Sequence, residues 1–399
     1  MKKILFVSDS LELHGAAKSL VNLLSALNIK DYSIDLFLFH TFDNHLKLPD
    51  GIQLLPVDKG LEAYFMPVHQ SLMTLVKEKK FTLLFYRFYN YVFTLNMSKT
   101  IRLQHSWPKM LKHVARIEGN YDLAISYLDY FTSEFILKLV QAAKYVTWNH
   151  NPVSDIGLDL NVYKECITQL HQVITVSERA KKSLQKEFGT VLDGKIIVFS
   201  NPQNSTEIIE RAIQPLEDDY ATYKGTKILT IGRLSRPKNH IFAVSVAKLL
   251  KQIGFKFHWY FIGDGEKRGE IAGLIKANGL VDFIVLMGMK DNPYPYIAQC
   301  DIYAQPSLYE AECIALKEAR TLKKPVIATL MPAIEMSNPD RIGILELKEE
   351  QWVNEITQMI EIPDFLGRHI LPAIDFSAED EKSRCNALIH SLLEVDVAN

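Results

Sequence analysis

Residues 302–329 read IYAQPSLYEAECIALKEARTLKKPVIAT, and two changes of pattern within this stretch decide the fold. The apolar run Ile302 to Gln305 breaks at Pro306-Ser307, a segment of helical period then carries Ala319 and Leu322, and a second apolar run opens at Val326 to Ala328. Short apolar runs joined by a helical segment are what a parallel sheet requires, because its strands are buried on both faces and the chain must cross back between them.

Outward from this unit the same alternation occupies the chain. In the second half, strands are expected at Lys227 to Ile231, Phe257 to Ile262, Phe283 to Met287, Ile302 to Gln305, Val326 to Ala328 and Gly343 to Leu347. In the first half they are expected at Lys3 to Ser8, Ser33 to Phe39, Leu123 to Ser126, Tyr145 to Trp148, Val173 to Val176 and Ile196 to Phe199. The run Asn201-Pro202-Gln203-Asn204-Ser205 and the polar stretch that ends near Gly225 have linker composition. A length of 399 residues exceeds what one core usually supports. Two α/β domains follow, at 1–200 and 201–376. A terminal helix over 377–399 is expected from Cys385, Leu388, Ile389, Leu392 and Leu393 at helical spacing.

Forty-five basic against forty-seven acidic side chains leave a net charge of -2, so the whole chain has no preference for a polyanion and nucleic acid is not an expected partner. Cys166, Cys300, Cys313 and Cys385 stand far apart without a CxxC pair, which predicts no zinc site and reduced thiols in a reducing, cytoplasmic compartment. The apolar run Ile4 to Val7 meets Ser8 and Asp9 too soon for a signal peptide and reads as a first strand. Phe81 to Met97 is broken by Arg87 and Asn90, so no transmembrane helix is expected.

Three constellations carry chemistry. Gly232-Arg233-Leu234 with Lys238 lies on a turn leading into a helix that begins near His240. Two cations beside a helix N-terminus favour a pyrophosphate, though a solvated basic turn reads equally well. Gly263-Asp264-Gly265-Glu266 follows a strand. With Lys267 and Arg268 next to it and no third ligand, it reads as a structural turn rather than a metal pair. Glu310 and Glu318 are separated by seven residues, the first on a loop and the second about two turns onward along a helix. Each carboxylate can accept paired hydroxyls of a sugar or a ribose; the alternative is a capping acid and a surface acid.

The order Gly-Arg-Leu-x3-Lys, Gly-Asp-Gly, Pro-Ser-x2-Glu-x7-Glu-Ala and Pro-Val-Ile-Ala-Thr resembles the retaining family-four glycosyltransferases of the GT-B fold. In the first half the resemblance rests on the opening strand, His14-Gly15-Ala16, Tyr121-Asp122 and the segment Trp148 to His150. It implies an α/β protein of two facing Rossmann-like domains with a C-terminal helix crossing back to the first. It also implies transfer of a sugar, with retention of configuration and without a metal or cofactor, from a nucleotide diphosphate donor. By the resemblance the donor is a UDP-sugar, and the acceptor is a glycan or lipid-linked glycan of cell-surface polysaccharide synthesis.

Carried onto this sequence, the resemblance places Arg233 and Lys238 on the diphosphate, Glu318 on the ribose and Glu310 on the sugar hydroxyls. It further places the amides of Ile314 and Ala315 on phosphate and sugar, Gly15 at the diphosphate, and His150 near the sugar as a catalytic-site residue. The chain departs from the pattern at Ala311-Glu312-Cys313 and at Lys323-Lys324, where the family has glycines, and keeps one glycine after the first strand where two are common. An epimerase or phosphorylase on the same fold, or a subunit without activity, is the alternative.

From Lys77 to Arg116 nine basic residues face one acid, Glu78, among Phe81, Phe85, Tyr86, Phe88, Tyr89, Tyr91, Phe93 and Trp107. This segment, residues 77–116, is a candidate contact with an anionic membrane on the inner face of the plasma membrane, one that replacing Lys77, Lys79, Lys80 and Arg87 should weaken. The bland reading puts the aromatics in the core and the lysines in solvent.

Overall fold

The computed structural model describes all residues except 13, 42–45, 93–97, 332–342, 363, 372–377 and 395–399. The chain forms two compact units, one of residues 1–203 with 380–399 and one of residues 204–379.

The first unit is built on β1 (Lys2–Ser8), β2 (Tyr32–Leu38), β3 (Ile52–Leu54), β4 (Asn120–Ser126), β5 (Gln141–Asn149), β6 (Gln172–Thr175) and β7 (Ile196–Val198). They lie in the order β3-β2-β1-β4-β5-β6-β7, and every pairing is parallel. Ile4, Leu5, Phe6 and Val7 of the central β1 are fully buried because helices cover both faces of the sheet. β3 is absent from the sequence expectation. It has three residues at the sheet edge, two of them exposed, so it carries no apolar run to read.

The second unit repeats the plan with β8 (Thr226–Ile231), β9 (Phe257–Ile262), β10 (Ile284–Gly288), β11 (Ile302–Gln305), β12 (Val326–Thr329) and β13 (Ile344–Leu345), ordered β10-β9-β8-β11-β12-β13 and again parallel. The last strand is shorter than the expected Gly343 to Leu347. In each sheet the strand order reverses beside the first strand, between β1 and β4 and between β8 and β11. Such a switch point leaves a crevice at the carboxyl ends of the strands, where α/β proteins bind ligands.

The terminal helix Ala378–Glu394 packs on the first unit. Asn386 donates to the Ala26 carbonyl at 2.9 Å and accepts from the Asn28 amide at 3.0 Å. The Arg384 guanidinium lies 4.0 Å from the Phe199 ring centroid and donates to the Ser200 carbonyl. Residues 377 and 399, the ends read from the sequence, fall outside the described residues.

The helix Ile314–Thr321 closes with Lys323 at φ +52°, its amide on the Arg320 carbonyl and that of Lys324 on the Ala319 carbonyl. This two-bond closure favours glycine at the left-handed residue, and Lys323 stands where the resembled family has one. Glycine would remove about 1–2 kcal/mol of left-handed strain and cost about 0.5–1 kcal/mol in chain entropy. Lys323→Gly is therefore expected to stabilise the second unit by about 0.5 kcal/mol, read as a higher urea midpoint. A lower midpoint would show that the lysine side chain contributes more than its backbone costs.

Candidate functional site

At the switch point of the second unit the chain leaves β8 through Gly232 and returns through a short turn, Arg236–Lys238, to the helix His240–Gln252. Beyond the neighbouring β11 it passes Ser307 and Glu310 before the helix Ile314–Thr321. Two residues 72 apart in sequence meet there. The Lys238 ammonium donates to both carboxylate oxygens of Glu310, at 2.6 and 2.8 Å. Gly232 makes room for it, since a Cβ there would lie 3.2 Å from Lys238 Cδ. Burial opposes the charge on Lys238, yet Glu310 more than offsets this and the ammonium is held above the ordinary lysine value.

Glu310 is nearly enclosed and anchored from β11. Ser307 Oγ donates to it at 2.7 Å and Gln305 Nε2 at 3.2 Å. Gln305 also donates to Ser307 at 2.7 Å and accepts from the Tyr303 hydroxyl at 2.7 Å. One carboxylate thus sits at the end of a polar chain rooted in the sheet.

The Gly263–Gly265 loop holds this platform from below. Gly263 has φ +139°, and a Cβ on it would stand 2.1 Å from the Gly232 carbonyl oxygen; one on Gly265 would stand 2.5 Å from that of Leu234. The Leu234 amide donates to the Asp264 carbonyl at 2.9 Å and the Lys267 amide to the Leu234 carbonyl at 2.9 Å. Only glycine allows this approach, so the loop is the structural turn its sequence suggested. Its acids are occupied by cations: Glu266 faces Arg233 at 3.3 Å and Asp264 faces Arg268 at 3.6 Å.

Glu318 lies little more than one turn into its helix, because the helix opens only at Ile314; the two turns counted from Glu310 include loop. It is 3% exposed, and the Tyr294 hydroxyl donates to it at 3.4 Å. Neither glutamate is a surface acid, and neither caps the helix. The capping position is Cys313, at φ +58° and without a side-chain cap. The amides of Ile314 and Ala315 stand in the first turn, where helix amides lack internal partners and attract anions. Cys313 keeps the left-handed backbone that glycine would adopt more cheaply, and its thiol is buried in the core instead.

Of the residues read from the sequence, Lys238 and Glu310 are brought together. Arg233 is not drawn in with them: its side chain is 73% exposed and turned to Glu266. Sequence reading gave no site role to Gln305, Ser307, Tyr303 or Tyr294. It also missed His240, fully buried beside Lys238, with neither ring nitrogen bonded among the described residues. Burial first and the Lys238 charge second depress its pKa to about 3.

In the first unit Gly15 opens the helix Gly15–Ala26 directly after β1, and His14 caps it by accepting from the Ala17 amide at 3.2 Å. His150, just past β5, is 7% exposed. Its Nε2 lies 3.1 Å from the Tyr127 carbonyl, while Nδ1 has no partner among the described residues. Burial, opposed by the contact with the Tyr127 carbonyl and aided by nearby His14, depresses its pKa to about 3, which favours the neutral imidazole. Beyond the neighbouring β4, burial raises the Asp129 carboxyl to about 7, a residue no sequence motif marked.

Residues 225–361 match the family Glycosyl transferases group 1. Over 246 residues the chain is 25% identical to an uncharacterized glycosyltransferase of Methanocaldococcus jannaschii, covering 56% of this chain and 60% of that protein. Over 156 residues it is 30% identical to an N-acetylgalactosamine-N,N'-diacetylbacillosaminyl-diphospho-undecaprenol 4-alpha-N-acetylgalactosaminyltransferase of Campylobacter jejuni, covering 37% and 41%. The alignments thus span less than two thirds of either relative. Among solved structures, HepE from Anabaena in complex with UDP and glucose superposes with a TM-score of 0.65 at 15% identity, over 99% of this chain and 100% of that one. That likeness carries the fold, and the two parallel α/β sheets are those of the GT-B architecture.

Proposed function

We propose, because residues 225–361 match the glycosyl transferases group 1 family, that this chain is a retaining glycosyltransferase. It moves a sugar from a nucleotide diphosphate donor, with uridine as the base, to a glycan or lipid-linked glycan. The observation that carries the reading is the Lys238–Glu310 pair at the switch point of the sheet within that family segment. A cation for phosphate and a fixed carboxylate for hydroxyls stand side by side there, with helix amides adjoining. UDP is supported by the HepE complex, which holds UDP and glucose. The lipid-linked acceptor is supported by the Campylobacter relative, whose name gives a diphospho-undecaprenol acceptor.

In this reading Arg233, Lys238 and the Ile314 and Ala315 amides receive the diphosphate and stabilise its negative charge as the bond from the sugar carbon to phosphate breaks, without a metal ion. The acceptor oxygen bonds to that carbon on the same face, and its proton passes to a diphosphate oxygen. Glu310 accepts from sugar hydroxyls and Glu318 from the ribose. His150 serves as a neutral hydrogen-bonding group toward the sugar, and Gly15 gives the diphosphate close access to the backbone. The site of action is the cytoplasmic face of the plasma membrane.

Glu318→Gln keeps the shape of the side chain but loses charged acceptance. UDP affinity is expected to fall by about tenfold or more, with turnover at saturating donor little changed. Wild-type affinity in a titration would remove the ribose role. The function itself is tested by supplying UDP-sugars and a glycan-diphospholipid acceptor in the presence of a chelator and reading the product's anomeric configuration by NMR. An α-product from an α-donor is expected. A β-product, or donor epimerised without acceptor, would contradict the assignment.

A further inference from the structure

Helix Phe81–Val92 has two apolar faces. Leu83, 2% exposed, packs into the core of the first unit with Leu84 and Tyr86 beside it. Phe81, Phe85, Phe88 and Tyr89 recur at i, i+4, i+7 and i+8 and are 62%, 60%, 51% and 41% exposed. They form one stripe along the helix. The preceding helix Val68–Lys77 adds the exposed Met73 and Val76, three residues apart. Six large apolar side chains left open on one helical hairpin mark an interaction surface.

Exposed cations gather near this helical hairpin. Lys77 and Lys79 stand at the hairpin turn, and Lys109, Lys112 and Arg116 at the end of the helix Lys99–Leu111, all exposed. That end adjoins the stripe's helix, with the His113 ring 6.0 Å from the Tyr86 ring. None of these five cations has a carboxylate partner among the described residues, and the acid Glu78 is paired with Lys59 at 3.7 Å.

Two cations expected on the surface are not part of it. Lys80 pairs with Asp58 at 2.9 Å, and Arg87 donates to the Met66 carbonyl at 2.8 Å with its guanidinium 5.2 Å from the Tyr64 ring centroid. Trp107, 1% exposed, belongs to the core. Phe93 lies outside the described residues, and the Tyr91 side chain is likewise not described.

We propose that this face docks on an anionic lipid bilayer, its aromatic stripe entering the headgroup zone and its lysines lying over lipid phosphates. A second copy of the chain fits poorly, because a two-fold contact would set five unpaired cations against five more. The inference deepens the lipid-linked acceptor reading by placing the enzyme where such an acceptor resides. Vesicle binding needs neither donor nor turnover, so it fails or succeeds apart from the transferase assignment.

The test is co-sedimentation of the full chain with phosphatidylcholine vesicles, with and without about one third phosphatidylglycerol. We expect binding to the anionic vesicles to exceed that to neutral ones by about tenfold and to weaken with added salt. Phe85→Ser with Phe88→Ser, and separately Lys77→Gln with Lys79→Gln, should each reduce it several-fold, with unfolding midpoints and UDP affinity unchanged. Negligible binding to both vesicle types at low salt would overturn the proposal. So would variants that bind like the wild type, or a concentration-dependent dimer that Phe85→Ser dissociates.

Discussion

Replacing Lys238 by alanine is expected to lower affinity for UDP by about 10- to 150-fold, the worth of one charge-assisted contact of about 1.5–3 kcal/mol, if Lys238 receives the diphosphate as we propose. It should also destabilise the second unit, because the Glu310 carboxylate keeps its burial and loses the cation that compensates it. Removing one partner of a buried pair costs about 3–5 kcal/mol. We expect the lower end, about 3 kcal/mol, since the Lys238 side chain is 24% exposed. Arg233→Ala separates the two effects. Its side chain is largely in solvent, so UDP affinity should fall in the same range while the urea midpoint stays where it was. Titration calorimetry and urea unfolding on both variants read this directly. Unchanged affinity in Lys238→Ala, or a loss of stability without a loss of affinity, would reduce Lys238 to a structural cation.

Glu310→Gln should act on turnover. The amide fits the same space but no longer carries the charge that orders Lys238, Ser307 and Gln305 and that receives the sugar hydroxyls in our reading. Losing one preorganised polar contact at a reacting centre costs roughly 100-fold or more in rate. UDP affinity should hold or rise, because Lys238 loses its competing partner. A kcat fall with retained UDP binding assigns the contact to the transferring sugar; wild-type kcat with a matched donor and acceptor would remove that role.

The strands were legible because a parallel strand covered on both faces is nearly pure apolar sequence. Phe257–Ile262 and Ile302–Gln305 have the same ends in sequence and structure. Where one face is open the signal fades. β5 begins at Gln141, four residues before the expected Tyr145, and that leading part alternates between exposed and half-buried positions. The site was legible as residue types and not as contacts. Lys238 and Glu310 each belonged to a motif, but their ion pair arises because β8 and β11 are neighbours in the sheet, a fact of strand order and not of spacing. The departures from glycine at Cys313 and Lys323 made sense only once both were seen at positive φ. In the basic segment, composition gave the charge. Which aromatics face out depends on what each helix packs against, so Leu83 and Phe85, two residues apart, have opposite environments.

The central claim, that the second unit is a nucleotide diphosphate site built on Lys238 and Glu310, is tested most directly by thermal unfolding with UDP. A ligand that binds only the native protein raises stability by linkage, about 2.7 kcal/mol at a hundredfold excess over its dissociation constant. The account predicts a clear rise in Tm with UDP, a smaller one with UMP, and loss of most of the UDP effect in Lys238→Ala. No shift with any nucleoside diphosphate, or an equal UDP shift in the wild type and in Lys238→Ala, would contradict it.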